Sequence, residues 1–597
     1  HQLSWAQSAT LAVLPNAPSL IFPGKNQQRL LAKRNALLHK LYTAEIIDKE
    51  TYDLALTEPL PTEPHPIPQL APHLLAYASK TFEGQRITTS LPIDLQQKVS
   101  QIVAGYYSHY SQSEIYNMAA LVVEVKTRKV LAYVGNTPTD ENHQKDVDII
   151  HAPRSTGSVL KPFLYAAMLH EGELLPTTLI PDVPTQIAGY SPQNFSNSFE
   201  GAVPADMALA KSLNVPFVWL LRQFTTYRFY EVLQKLRLKN ISRHPDHYGL
   251  SIILGGAESN LWDLAQAYTN LASEVNVFAA TQQYRSAEFQ SLSYTAGSPP
   301  DFGKATTALP TLRAGALYSM FSAMKEVNRP TDDVAWRYYE SARKIAWKTG
   351  TSFGNKDAWA IGATPEYVVA VWVGNATGEG RPTLTGVSYA APVMFSIFNA
   401  LPHTTWFQQP LDDMREVTIC EQSGYLAKPE CPQKLLRTTL APKEIGQCPY
   451  HKLVHLTPDG QYQVNASCQP VDQIYTKAWF VLPPVMEWYY KQQHVHYQSL
   501  PPFRSDCTEG VAQKALDFVY PKHLSVIYTT KSFGGEQQPF VAKAANRSGK
   551  LFWYIDDVYL GTTDTFHEMN IFAAKGEHLL KIINEKGDEK TIKVICQ

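Results

Sequence analysis

The chain has 597 residues, more than one hydrophobic core accommodates, so about two to four domains are expected. Lys and Arg number 53 against 54 Asp and Glu, a net charge of −1, which excludes any global electrostatic drive toward nucleic acid or an anionic membrane. With 44% hydrophobic, 11% aromatic and 18% charged residues, the composition is neither disordered nor coiled-coil. The longest apolar runs, AALVVEV and YVVAVWVG, are strand-length, well short of the roughly 18 residues a membrane helix requires. No secretory signal pattern opens the chain.

The first segment reads as helices around a Pro-rich loop. Leu30, Leu31, Leu37, Leu38 and Leu41 recur at helical spacing behind Arg29, Lys33 and Arg34. The segment starts abruptly, with no capping signal evident. Residues 58–74 are rich in proline and predict an extended connector. From 115 the texture changes: MAALVVEV and VLAYVG across KTRK predict two sheet strands joined by a turn. Strand and helix signals then alternate to about 405. Residues 406–510 are Pro- and Cys-rich with weak periodicity, as in a linker held by cross-links. The last ninety or so residues predict a small β-sandwich: Gly587-Asp588 marks a hairpin turn, and Ile592, Val594 and Cys596 alternate with Thr591 and Lys593 as on a half-buried strand.

Cysteine is confined to the final third: Cys420, Cys431, Cys448, Cys468, Cys507 and Cys596. An even set in a loop-rich region suits a disulfide framework and an oxidising compartment. The local pairs Cys420–Cys431 and Cys448–Cys468, with Cys507–Cys596 tying the last strand back to its entry, are expected, although other pairings fit the spacing equally. Free thiols are a second reading. A zinc site on Cys448-Pro-Tyr-His451 is a third, set aside because its partners would be single cysteines at irregular distances, without a second Cys-x2-Cys or His pair. No metal ligand and no cofactor are assigned.

The segment RSTGSVLKPFLYAAMLHEG runs from a Gly-containing turn into an amphipathic helix. Ser158 is expected at the helix start and Lys161 one turn on, on the same side. Pro162 fits only the first helical turn. A helix N-terminus favours negative charge developing beside it, and a desolvated, neutral lysine can take a hydroxyl proton. Ser158 and Lys161 are thus a candidate nucleophile–base pair. The tetrad alone is weak evidence, because Ser322–Lys325 and Ser341–Lys344 repeat it. Two triplets that occur once each strengthen it: Ser212-Leu213-Asn214, a second serine and an amide, and Lys348-Thr349-Gly350, a strand-edge lysine suited to a substrate carboxylate. Gly350 would let substrate approach that strand closely. Glu258 and Asp263 are read as solvated-face residues, and Asp357 and Trp359 as hairpin and core residues shaping the floor of a groove.

The ordered set Ser-x-x-Lys, Ser-x-Asn and Lys-Thr-Gly resembles the serine penicillin-recognising enzymes. RSTGSVLKPF, LIPDVPTQIAGYSPQNF, MALAKSLNVPFV, LGGAESNLWDLAQAYTNLA and WKTGTSFGNKDAWAIG resemble the transpeptidase domain of class A, bifunctional penicillin-binding proteins. The Cys-rich connector and terminal sandwich resemble the C-terminal extension of one of their subfamilies. The resemblance implies an α/β (α+β) penicillin-binding transpeptidase domain of the serine β-lactamase-like kind, a C-terminal all-β immunoglobulin-like sandwich and an N-terminal helical stub. The implied divisions are a remnant of a glycosyltransferase domain at 1–60, a Pro-rich linker and pedestal at 61–114, the transpeptidase domain at 115–405, a Cys-rich connector at 406–510 and the sandwich at 511–597.

In that family Ser158 would attack the penultimate D-Ala of a peptidoglycan stem peptide. Lys161 would be its base, assisted by Ser212 and Asn214. Backbone N–H groups of Ser158 and Thr351 would form the oxyanion hole, and Lys348, Thr349 and Thr351 would hold the substrate carboxylate. Gly350 would line the same binding strand. The implied partners are two stem peptides, a D-Ala-D-Ala donor and an amine acceptor, together with β-lactams that acylate Ser158, and an envelope protein or glycan at the C-terminal domain. Thr156 departs from the proline frequent before the nucleophile's glycine. The glycosyltransferase motifs and membrane anchor of such proteins lie upstream of the residues matched, so no glycosyltransferase activity is expected of this chain, and the parent protein is expected in the periplasm, anchored in the inner membrane. The alternatives are a carboxypeptidase or β-lactamase, for which Glu258 would be a poorly placed deacylating residue, and a weakly active penicillin-binding scaffold.

Overall fold

The computed structural model describes residues 3–16, 24–61, 69–187, 191–297, 300–326, 343–441, 445–507, 516–528, 539–545, 549–564, 566–585 and 587–597. The chain divides into two compact units, His1–Leu70 and Ala71–Gln597.

The first unit packs helices α1 (Trp5–Val13), α2 (Gln27–Thr43) and α3 (Lys49–Thr57) around Ala6, Ala9, Leu38, Ile47 and Ala55. One sequence expectation is corrected here. The chain does not start uncapped: Ser4 and Gln7 form a reciprocal capping box, each side chain taking an N–H of the other residue. Arg34 differs from an ordinary basic helix residue. It is fully buried, and its guanidinium donates to the carbonyls of Glu58 at 2.6 Å and Leu56 at 3.2 Å, oxygens that the end of α3 leaves without helical donors. Of the Pro-rich connector, residues 62–68 lie outside the described residues.

The second unit begins with α4 (Pro72–Ser79) and α5 (Ile93–Tyr110) and is built on an antiparallel sheet. Its strands are β1 (Asn117–Glu124), β2 (Val130–Val134), β9 (Ala346–Thr351), β10 (Asp357–Ala363) and β11 (Tyr367–Gly374), in the order β2-β1-β11-β10-β9. Between β2 and β9 lie β3 (Arg154–Ser155), α6 (Lys161–Glu171), β4 (Leu179–Asp182), β5 (Gly201–Pro204), α7 (Ala205–Ala210), α8 (Asn214–Phe224), α9 (Thr226–Lys235), α10 (Pro245–Tyr248), β6 (Glu258–Ser259), α11 (Leu261–Thr281), β7 (Tyr284–Arg285), β8 (Ala305–Thr306) and α12 (Ala314–Lys325). Helix α13 (Ala391–Ala400) follows the sheet.

Helices cover both faces, which is why the strand sequences are continuously apolar. In β1, Ala119, Leu121 and Val123 enter the core made with α6, α8, α11 and α12, while Met118, Ala120 and Val122 enter the core made with α5 and α13. Asp263 is buried near the start of α11, where its N–H is taken by Asn260, so its expected solvated position is corrected; Glu258 is exposed. Ser322 lies on α12 and lines a cleft with Tyr165, Asp206 and Lys325, and Ser341 lies outside the described residues.

The connector is more ordered than its composition suggests. It forms two hairpins, β12 (Met414–Cys420) with β13 (Gln433–Thr439) and β14 (His451–Leu456) with β15 (Tyr475–Phe480), then α14 (Pro484–Gln493). Buried Asp413 anchors it to α12, accepting from Arg313 at 2.7 Å and from the Gly315 N–H at 2.9 Å. The C-terminal region is all-β. A sheet of β16 (Asp517–Tyr520), β18 (Phe540–Ala545) and β21 (Glu568–Ile571) faces one of β17 (Ser525–Ile527), β19 (Leu551–Ile555), β20 (Val558–Thr563), β22 (Gly576–Asn584) and β23 (Glu589–Cys596). As the alternation predicts, Ile592, Val594 and Cys596 point into the core between them.

That inward placement overturns the expected cysteine pairing. Cys596 is held in the sandwich core, so it is not joined to Cys507. Cys507 is bonded instead to Cys468, and Cys420, Cys431, Cys448 and Cys596 are free and buried. The expected Cys420–Cys431 and Cys448–Cys468 bonds are likewise not formed.

Candidate active site

The three sequence motifs meet at one end of the sheet. Ser158 lies in the tight turn ahead of α6, so the helix itself begins at Lys161, with Pro162 in the first turn where its missing N–H matters least. The turn is pinned from several sides. The Thr156 N–H and hydroxyl both donate to Ala257 O, at 3.1 and 3.0 Å. Tyr268 OH donates to Val159 O at 2.9 Å, and the Trp359 indole N–H to Ser155 O at 2.8 Å. Thr156 thus supplies through hydrogen bonds the rigidity that a proline ring would supply through φ.

Strand β9 lies directly against this turn. A Cβ on Gly350 would stand 2.7 Å from Thr156 O and 2.9 Å from Val159 Cγ1, and one on Gly157, where φ is +51°, would stand 2.7 Å from Thr351 N. Both positions therefore require glycine, and the contact sets the Thr351 N–H beside the Ser158 turn.

Lys161 is fully buried. Its Nζ donates to Asn214 Oδ1 at 2.7 Å, to Ser212 O at 2.8 Å and to Leu213 O at 3.0 Å, and it lies 5.5 Å from the Phe217 ring centre. Ser212 has φ at +56°, a left-handed kink that turns its carbonyl and the next toward the lysine. Lys348, on β9 opposite Ile361, is also buried; its Nζ donates to Ser212 Oγ and to Thr349 O, both at 2.7 Å. Burial, and secondarily the neighbouring Lys348, hold Lys161 well below the usual lysine range, while burial brings Lys348 to about 7. Ser158 is half-buried, and its hydroxyl makes no hydrogen bond among the described residues. Thr349 is buried, and Thr351 Oγ1 accepts from the Gly386 N–H at 3.0 Å.

Sequence reasoning assigned no role to Asn194. Its Oδ1 accepts from the N–H groups of Asn214 and Val215, at 2.9 and 3.2 Å, which caps α8, and its Nδ2 donates to Asp182 Oδ1 at 2.8 Å. Asn214 Nδ2 donates to Gln193 O at 2.8 Å. The loop after β4 thus orients the amide that meets Lys161. Asp357 and Trp359 are buried as read: Asp357 accepts from the Trp372 indole at 3.1 Å, and Trp359 pairs with Gly350 across the strands.

A second cluster lies away from these motifs. Hairpin β12–β13 brings Cys420 and Cys431 to Cys448 and His451, so the irregular spacing of these residues along the chain does not keep them apart.

The penicillin binding protein transpeptidase domain matches residues 118–399, and the penicillin-binding protein C-terminus family matches 506–594. The chain is 28% identical to penicillin-binding protein 1C of Escherichia coli (strain K12) over 618 aligned residues, covering 100% of this chain and 76% of that protein. It is 26% identical to penicillin-binding protein 1B of Vibrio cholerae, covering 66% of this chain and 52% of that one. In fold it is similar to penicillin-binding protein 1A from Haemophilus influenzae, with a TM-score of 0.54 at 16% identity, covering 75% of this chain and 87% of that chain. The chain thus spans about three quarters of the first relative and about half of the second. Residues 118–399 thus form a penicillin binding protein transpeptidase domain with peptidoglycan transpeptidase function, followed by a penicillin-binding protein C-terminal domain.

Proposed function

We propose that Ser158 is the nucleophile of a D,D-transpeptidase that passes through a serine acyl-enzyme. The observation that carries this reading is the convergence of all three motifs on one buried pair of lysines, Lys161 on Asn214 and Lys348 on Ser212. An ammonium at Lys161 fills all three of its donors with Ser212 O, Leu213 O and Asn214 Oδ1. Burial favours the neutral amine, which frees a lone pair for the Ser158 proton. Ser158 Oγ then bonds to the penultimate D-Ala carbonyl carbon of a stem peptide. The C–N bond to the terminal D-Ala breaks, and the leaving nitrogen takes the proton that Lys161 received, with Ser212 Oγ, which accepts from Lys348 Nζ, as the relay. An acceptor amine attacks the ester carbonyl carbon, the Ser158 Oγ–C bond breaks, and the amine's proton passes by way of Lys161 to Ser158 Oγ, which restores the serine and forms the cross-link. The Ser158 and Thr351 N–H groups serve as oxyanion donors, and Lys348, Thr349 and Thr351 hold the carboxylate, with Gly350 admitting the substrate backbone. β-Lactams acylate the same serine. The parent protein works in the periplasm and pairs this activity with glycosyl transfer.

Incubating the chain with a fluorescent penicillin and measuring its intact mass tests the assignment. One covalent adduct per chain is expected, and none in Ser158→Ala. An adduct that survives in Ser158→Ala, or none in the parent chain, would overturn it.

A further inference from the structure

Cys420 ends β12, Cys431 precedes β13, and Cys448 stands three residues before His451, the first residue of β14. All four are buried, with exposures of 0%, 7%, 0% and 4%. One ligand atom from each lies within 4.8 Å of every other. Both Cys420 Sγ and Cys448 Sγ are 3.3 Å from His451 Nδ1. A tetrahedral zinc ion with sulfur and nitrogen ligands sets S···S edges of about 3.8 Å and S···N edges of about 3.6 Å. The two S···N distances of 3.3 Å and the 4.8 Å limit on all pairs leave the four atoms close enough to converge on one ion.

The three sulfurs also accept hydrogen bonds from the turns around them. The Ser423 N–H donates to Cys420 Sγ at 3.4 Å, the Lys428 N–H to Cys431 Sγ at 3.4 Å and the Ser423 hydroxyl to Cys448 Sγ at 3.1 Å. Each sulfur therefore receives one hydrogen bond from a turn. Three thiolates together in an apolar pocket require a compensating cation. The donor set of three sulfurs and one nitrogen selects zinc over hard, oxygen-seeking cations. Four protein ligands leave no open position, so the site is structural, not catalytic.

We propose that Cys420, Cys431, Cys448 and His451 bind one structural zinc ion that fixes the connector against the transpeptidase domain. The cluster packs with Leu179, Ala202, Tyr450, Leu482 and Met486. Ser423, one turn past the first ligand, accepts from the Leu179 N–H at 2.9 Å on β4. Strand β4 ends at Asp182, which holds Asn194, which in turn caps Asn214. The ion thus sits behind the wall that positions the second catalytic motif.

The test uses the full chain, purified without added metal or chelator, with metal counted by mass spectrometry and thiols by alkylation. About one zinc per chain is expected, released as an organomercurial titrates the thiols. Replacement by cobalt should give the visible absorption of a tetrahedral thiolate site. His451→Cys should retain the metal and Cys448→Ala should lose it. If Cys448→Ala fails to fold, the parent chain's metal count and cobalt spectrum still decide. Folded protein with no bound metal, or a disulfide between any two of Cys420, Cys431 and Cys448, would overturn the proposal. Ser158→Ala should keep its zinc, so failure of the acyl-enzyme reading and failure of this one are separable.

Discussion

Two lysines buried within reach of one motif must divide the chemistry, because charge on Lys348 disfavours charge on Lys161. Lys161 has two carbonyls and an amide oxygen around it and is pushed down by burial and then by Lys348; Lys348, on the strand edge, sits at about 7 because of burial. A base must be neutral and a carboxylate partner must be charged, so the two requirements pull in opposite directions with pH. Lys348 is protonated below about 7 and loses its charge above it. The rate of acylation by a carboxylate-bearing penicillin should therefore fall as pH rises past about 7. Lys348→Arg should flatten that alkaline limb, since a guanidinium stays charged, while lowering the maximal rate about tenfold because its planar fork does not fit the Ser212 contact. Stopped-flow acylation across pH checks this; an unchanged limb in the variant would remove Lys348 from the assignment. The residues that gather at the candidate site were legible from the sequence because the order and spacing of the three motifs are themselves the signal. Asn194 was not, because its partners Asn214 and Val215 lie twenty or so residues away and no local pattern marks a cap supplied from a distant loop.

At the scale of elements, the contact between β9 and the Ser158 turn depends on one indole as much as on its glycines. Trp359 stands opposite Gly350 on β10 and donates to Ser155 O at 2.8 Å, so it joins the sheet to the turn it faces. Trp359→Phe keeps the ring's packing but leaves that partly buried carbonyl without its indole donor, which costs about 1 kcal/mol. The variant should melt a few degrees lower and be acylated about tenfold more slowly, since a shifted turn misplaces the hydroxyl. An unaltered acylation rate would show that the turn is held by Thr156 and Tyr268 alone. Strands β1, β10 and β11 were readable as strands because continuous apolar runs of that length suit a sheet covered on both faces. The connector was not readable. Its hairpins are short and half-exposed, and its cysteines are gathered by the β12–β13 pairing instead of by sequence spacing, which is why local disulfides were expected where free thiols stand.

Across the whole molecule, the transpeptidase and the C-terminal sandwich keep separate hydrophobic cores, one gathered on the two faces of the central sheet and the other between the two C-terminal sheets. Among the described residues, Val541 N–H of the sandwich donates to Gln186 Oε1 of the transpeptidase domain at 2.9 Å, and Trp488 on α14 of the connector meets Phe566 of the sandwich edge-on at 4.9 Å. Such an interface lets the domains unfold separately. Trp553 is the largest fully buried side chain of the sandwich, packed against Phe518 and donating to Thr563 Oγ1 at 2.8 Å. Trp553→Ala should destabilise that domain by about 3–5 kcal/mol through lost burial and the cavity left behind. Differential scanning calorimetry should show two transitions in the parent chain, with only the sandwich transition lowered in the variant, and penicillin acylation of Ser158 should persist above it. A single transition that moves as a whole, with acylation lost alongside, would mean that the connector couples the two cores into one cooperative unit.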